Sequence, residues 1–126
     1  MNRLIAFRDR QVEPAVNTPF FAELLSGNPT TTAWRIATTD DGQVSSGFWS
    51  ATPAKWRMDY KVWEFCQILE GTCVITPDGG LPQEFGAGDT FVCEPGLCGT
   101  WEVTAPLRKA FVIRRIYLLS AQVMRR

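Results

Sequence analysis

The chain contains no histidine among its 126 residues. Histidine is the side chain whose unperturbed pKa lies near neutrality, and it is a common ligand for transition metals. Acid–base chemistry in this protein must therefore use shifted groups, and a metal would have to bind to carboxylates or thiolates. An excess of either charge is missing too: 13 lysines and arginines balance 13 aspartates and glutamates. The basic residues are scattered apart from Arg114-Arg115 and Arg125-Arg126, a distribution that argues against nucleic acid as a partner. No apolar run reaches the roughly 20 residues that span a bilayer, and the arginine-bearing stretch 1–11 leads into no apolar signal core. The expectation is a cytoplasmic protein without a membrane partner. Cys66, Cys73, Cys93 and Cys98 form no C-x-x-C pair, so neither a zinc knuckle nor a secreted disulfide framework is expected. Buried free thiols are the plainer reading.

What is present is a globular balance of 45% apolar and 21% charged residues, enough for one core and one domain. Residues 1–32 read as an N-terminal extension, 33–119 as a barrel and 120–126 as a tail. One short helix is predicted in the extension, with Asn17 or Thr18 as cap, Pro19 in the first position and Gly27 as the stop. From Ala33 the texture changes to short alternating runs. Trp34, Ile36 and Thr38 alternate with Arg35, Ala37 and Thr39, and Asp41-Gly42 is a tight turn into a strand over 43–51. Further strands are predicted over 55–60, 63–69, 72–76, 83–85, 90–93, 99–103 and 108–119, the rhythm of an all-β barrel. The last run exceeds the usual strand length and is apolar, so pairing with a second copy, a homodimer, is expected to cover it.

Several landmarks, taken in order, resemble a cupin. They are Gly47-Phe48-Trp49, Pro53-Ala54-Lys55-Trp56, then Glu64 followed by Ile68-Leu69-Glu70-Gly71, then Phe85-Gly86-Ala87-Gly88-Asp89. A closing Gly99-Thr100-Trp101-Glu102-Val103 with Arg108-Lys109 resembles the ureidoglycine aminohydrolase cupin domains in particular. The resemblance implies a double-stranded β-helix of jelly-roll type. It also implies positions for metal ligands, and here the chain departs from the pattern. The two histidine positions before Glu64 fall on Arg57 and Asp59, or on Met58 and Tyr60, and the later one falls on Gly99. Only Glu64 survives, too few ligands for zinc, iron or manganese. No metal and no other cofactor is expected, although Glu64 with Cys66 or Asp59 would be the place to look for an unusual one.

The candidate catalytic residues are Glu64, Tyr60 and Lys109. Glu64 in an apolar barrel would serve as acid or base if its pKa moved, or else would simply pair with a cation or with Tyr60. Lys109 inside the barrel would bind a carboxylate or act as a base; the plainer expectation is a lysine at a sheet edge. Trp49, Trp56, Arg57 and Trp101 are the candidate ligand-binding residues, flat rings and a cation suited to a compact organic molecule or sugar. Three functions follow: a metal-free binder of a small polar metabolite or sugar, a metal-independent enzyme acting on a ureido, amino or carbohydrate compound through Glu64, or an interaction dimer whose barrel is filled by its own tryptophans.

Overall fold

A computed structural model describes residues 3–17 and 23–115. Among the described residues, a 3-10 turn at Phe7–Asp9 is followed by strands alone: β1 (Ala15–Val16), β2 (Glu23–Gly27), β3 (Thr31–Thr38), β4 (Val44–Ala51), β5 (Ala54–Asp59), β6 (Trp63–Pro77), β7 (Gln83–Gly86), β8 (Thr90–Cys93) and β9 (Cys98–Arg114). All pairings are antiparallel, and the order across the sheet is β1-β3-β4-β9-β5-β2, with β6 on the other edge of β9 and β7 and β8 on β6. This is the all-β, cupin-like architecture that the sequence implied.

Two long strands curl the sheet. β9 pairs with β5 from Cys98 to Val103 and with β4 from Leu107 to Arg114, so it changes partner around Pro106 while staying bonded to β6 on its other side. β6 does the same, pairing with β8 through residues 64–67 and with β7 through residues 72–75. The corner of β6 is bulged: its register against β9 shifts between Ile68 and Cys73. An extra residue at a bulge bends a strand, and Gly71 supplies the backbone conformation needed there, with φ +83°. A Cβ at that position would collide with the Pro106 carbonyl. The sequence reading divided β6 and β9 into two strands each, because Gly71 and Pro106 look like turn residues; they are corners within continuous strands.

Alternation places the core. β4 and β5 bury every second residue, turning Trp49, Ala51, Ala54, Trp56 and Met58 inward to meet Cys66, Ile68 and Cys73 of β6 and Trp101, Val103, Leu107 and Phe111 of β9. Removing a side chain such as Ile68 from water stabilises the fold by about 1.5–3 kcal/mol. The hairpin turn expected at Asp41-Gly42 is present: Gly42 has φ +74°, and Asp41 Oδ1 accepts hydrogen bonds from the Thr39 hydroxyl and the Gln43 amide.

The expected helix is corrected where it is described. Residues 18–22 lie outside the described part, but Glu23–Gly27 is a strand hydrogen-bonded to β5. Cross-strand pairing there overrides the local helix signals. β1 and β2, both from the stretch read as an extension, are thus part of the sheet. Beyond Arg115 the last apolar run lies outside the described residues.

Candidate functional site

A cavity of about 410 Å³ is walled by β3 (Thr31, Ala33, Arg35), β4 (Trp49), β5 (Trp56, Met58), β6 (Glu64) and β9 (Trp101, Lys109, Phe111). Inward-facing residues build its walls. On β5 the alternation turns Trp56 and Met58 into it and leaves Arg57 on the outside; on β9 it turns Trp101, Lys109 and Phe111 inward. Tyr60 follows β5 and is held by its backbone, whose amide donates to Leu97 O (2.9 Å) and whose carbonyl accepts from Gly96 N (2.8 Å).

The polar floor is a connected row. Lys109 Nζ donates to Glu64 Oε2 at 3.0 Å, and the Tyr60 hydroxyl donates to Glu64 Oε1 at 2.8 Å. Lys109 also lies 3.5 Å from Cys66 Sγ. Lys109 and Glu64 are 2% and 5% exposed, so the edge-strand reading of Lys109 is corrected: β9 is central, and the residue shares its inward parity with Leu107 and Phe111.

Three indoles pack together beside that ammonium, and two of them face it. Trp56 and Trp101 are stacked at 6.2 Å and 13°, and Trp49 stands across both at 76° and 69°. Lys109 Nζ lies 4.8 Å from the ring centre of Trp49 and 4.7 Å from that of Trp101, within cation–π range. The barrel thus carries an aromatic cage already occupied by its own lysine. The Trp101 indole nitrogen is the buried side-chain polar atom left without a hydrogen-bond partner among the described residues.

Burial and charge set the protonation of this row. Burial opposes the charge on Lys109, but the charge Cys66 takes on as a thiolate at high pH and the Glu64 carboxylate outweigh it, and its pKa lies above the usual lysine value. Burial, then the Glu64 charge, push the Tyr60 phenol well above its ordinary value. Burial also drives the Cys66 thiol well up, so it faces Lys109 as a neutral group. Near neutrality Lys109 is an ammonium, Tyr60 a phenol and Cys66 a thiol.

The structure therefore brings together Tyr60, Glu64, Lys109, Trp49, Trp56 and Trp101. Arg57 stands apart: its guanidinium is bonded to Asp78 on the outer surface, which raises its pKa and lowers that of Asp78. Asp59 lies at the rim, where Lys61 (3.0 Å) and Cys98 (3.4 Å) bond to its carboxylate. Two rim residues, Arg35 and Arg115, went unnoticed in the sequence. Arg35 shares the parity of Ala33, which also lines the cavity, and that alternation was the available signal.

A curled antiparallel sheet with inward polar residues converging at one end defines a cupin domain. The family model of the EutQ-like cupin domain matches residues 38–111, and the chain belongs to that family. Among solved structures it is similar to a protein of unknown function of the DUF861 family from Pseudomonas syringae pv. tomato (21% identity, TM-score 0.73, covering 83% of this chain and 46% of that one). This chain thus spans about half the length of that relative. It is also similar to an ethanolamine utilization protein Q from Salmonella typhimurium (19%, TM-score 0.60, covering 69% and 71%) and to the EutQ protein of Clostridium difficile (17%, TM-score 0.62, covering 74% and 75%). At these identities the likeness concerns the fold. No match was found among curated proteins.

The divalent metal implied by the cupin resemblance does not fit the residues present. Both Glu64 oxygens are engaged by Lys109 and Tyr60. Of the two pairs of positions where histidines would be expected, Met58 and Tyr60 both line the cavity, while of the other pair Asp59 lies at the rim and Arg57 on the outside. Gly99 has no room for any side chain, since a Cβ there would collide with the Thr76 carbonyl. Among the described residues no group of three or more cysteine, aspartate or glutamate side chains is gathered around one point. Nor is any helix among them long and apolar enough to cross a membrane.

Proposed function

We propose that this cupin binds a small polar organic molecule in its cavity and does so without a metal ion. The observation that carries the reading is the cavity itself, about 410 Å³ bounded by Trp49, Trp56 and Trp101 above the Glu64–Lys109 pair. That volume falls within the range of small-molecule sites, about 300–1,000 Å³. A barrel filled by its own tryptophans, the premise of a purely structural role, would have left no such space. The homodimer belongs to the same proposal: β2 is exposed along its length, and Leu24 and Leu25 are 43% and 46% exposed on it.

The second reading is a metal-independent enzyme acting on a ureido, amino or carbohydrate compound, as the resemblance to ureidoglycine aminohydrolase cupin domains implies. The hydrogen-bonded row Tyr60–Glu64–Lys109 favours it. Binding is preferred because Tyr60 and Lys109 are both held protonated far above neutrality, outside the range in which a general acid or base works well. A thermal-shift screen against ureides, sugars and amino acids, with product analysis by NMR, tests the choice. Binding without turnover is expected. Product formation that is lost in both Glu64→Gln and Tyr60→Phe would establish the enzyme, and no shift with any compound would contradict binding.

A further inference from the structure

The cavity wall carries four cations, and they are not equivalent. Lys109 is paired with Glu64 at 3.0 Å and Lys61 with Asp59 at 3.0 Å. The other two, Arg35 and Arg115, make no ion pair with any described residue. Arg115 is fixed in place, its Nη1 donating to Gly42 O (3.0 Å) and Ser45 Oγ (3.3 Å), while its backbone amide donates to Gln43 O (2.8 Å). Arg35 projects from β3 on the same face as Ala33. Arg35 and Arg115 line the same cavity, and the Arg35 pKa is lowered by burial first and by the charge of Arg115 second. Among the described residues, Glu13 is the carboxylate on the wall that forms no ion pair.

The opposite end of the cavity says which ligands are disfavoured. A cationic ligand would need the aromatic cage, and the Lys109 ammonium fills it. What remains to a ligand on the cavity wall is indole ring surface and the two arginines.

Resting on the small-molecule reading above, we infer that the cavity selects organic anions, with the carboxylate or phosphate of the ligand held by Arg35 and Arg115 and its apolar body lying against the tryptophan wall. The planar guanidinium presents paired N–H donors that match either anion, and pairing relieves the repulsion between the two arginines.

Ligand-detected NMR with matched probes tests this: benzoate, phenylacetate and 3-phenylpropionate, their primary amides, and benzylamine and phenethylamine. The carboxylates are expected to bind about tenfold or more tightly than the amides, equivalent to about 1.4 kcal/mol, and the amines weakest. Arg35→Gln and Arg115→Gln should each reduce carboxylate affinity about fivefold to tenfold and leave amide affinity unchanged. Glu13→Gln should strengthen carboxylate binding. Thermal midpoints establish that the variants are folded, and Arg35→Gln, at an exposed position, keeps the test available if Arg115→Gln does not fold. If amides or amines bind as well as carboxylates, the inference falls and the binding reading stands. Binding by no probe of any charge would overturn both.

Discussion

Lys109 and Glu64 form an ion pair almost wholly withdrawn from water, 3% and 6% exposed at their side chains. Desolvating two charges is costly, and the pair is tolerated because each charge has further partners: Tyr60 for the carboxylate, and two indole faces for the ammonium. Removing one partner strands the other. Lys109→Met and Glu64→Leu are each expected to lower stability by about 3–5 kcal/mol in denaturant unfolding, with most of the loss recovered in the double variant. Single losses below about 1 kcal/mol would mean the pair is not buried as described. Glu64 was legible in the sequence because it stands at a fixed distance before Gly71. Lys109 was singled out by the closing signature, but its burial was not legible, since one lysine in an apolar run looks the same whether its strand is central or at an edge. The identity of its neighbours across β4 and β6, Trp49 and Ile68, depends on register, which no local pattern encodes.

At the scale of the element, the strands themselves were largely readable from alternation, and the corners were not. Gly71 and Pro106 are punctuation in a local reading, whereas in the sheet they sit opposite one another where β6 and β9 bend together. The same limit explains β2, whose Leu24-Leu25 pair fits a helix turn until β5 provides an edge to bond to. Gly99 is the element-level reason that ligand chemistry cannot be restored by one substitution, because β9 there lies against the backbone of Thr76. Gly99→Ala is expected to cost about 3 kcal/mol by overpacking. A Gly99→His variant that kept wild-type stability in thermal unfolding would contradict this close approach.

For the whole molecule, the absence of histidine becomes a statement about pH. Burial raises the Cys93 thiol to about 11 and the Cys73 thiol to about 12, and Cys66, Tyr60 and Lys109 also lie above their ordinary values. A group whose pKa is higher folded than unfolded contributes fully below the unfolded value and loses that contribution as pH rises through the folded one. All five act in the same direction, so stability should fall from about pH 8.5, the ordinary thiol value, upward. Asp41, Asp59 and Asp78 are lowered by their hydrogen-bonding partners, so their contribution holds above the ordinary aspartate value and is lost as pH falls below about 3.9. Between these limits urea unfolding should give a flat profile, and a step between pH 6 and 7 would be at odds with it.

On the function proposed above, the cavity needs no metal ion, the Lys109 ammonium being the cation that engages Glu64. Titration of chelator-treated protein with Mn²⁺ and Zn²⁺ tests that claim most directly. The expected result is no stoichiometric binding and no change in ligand affinity with or without chelator. One equivalent of metal bound tightly by the wild type and lost in Glu64→Gln would contradict it.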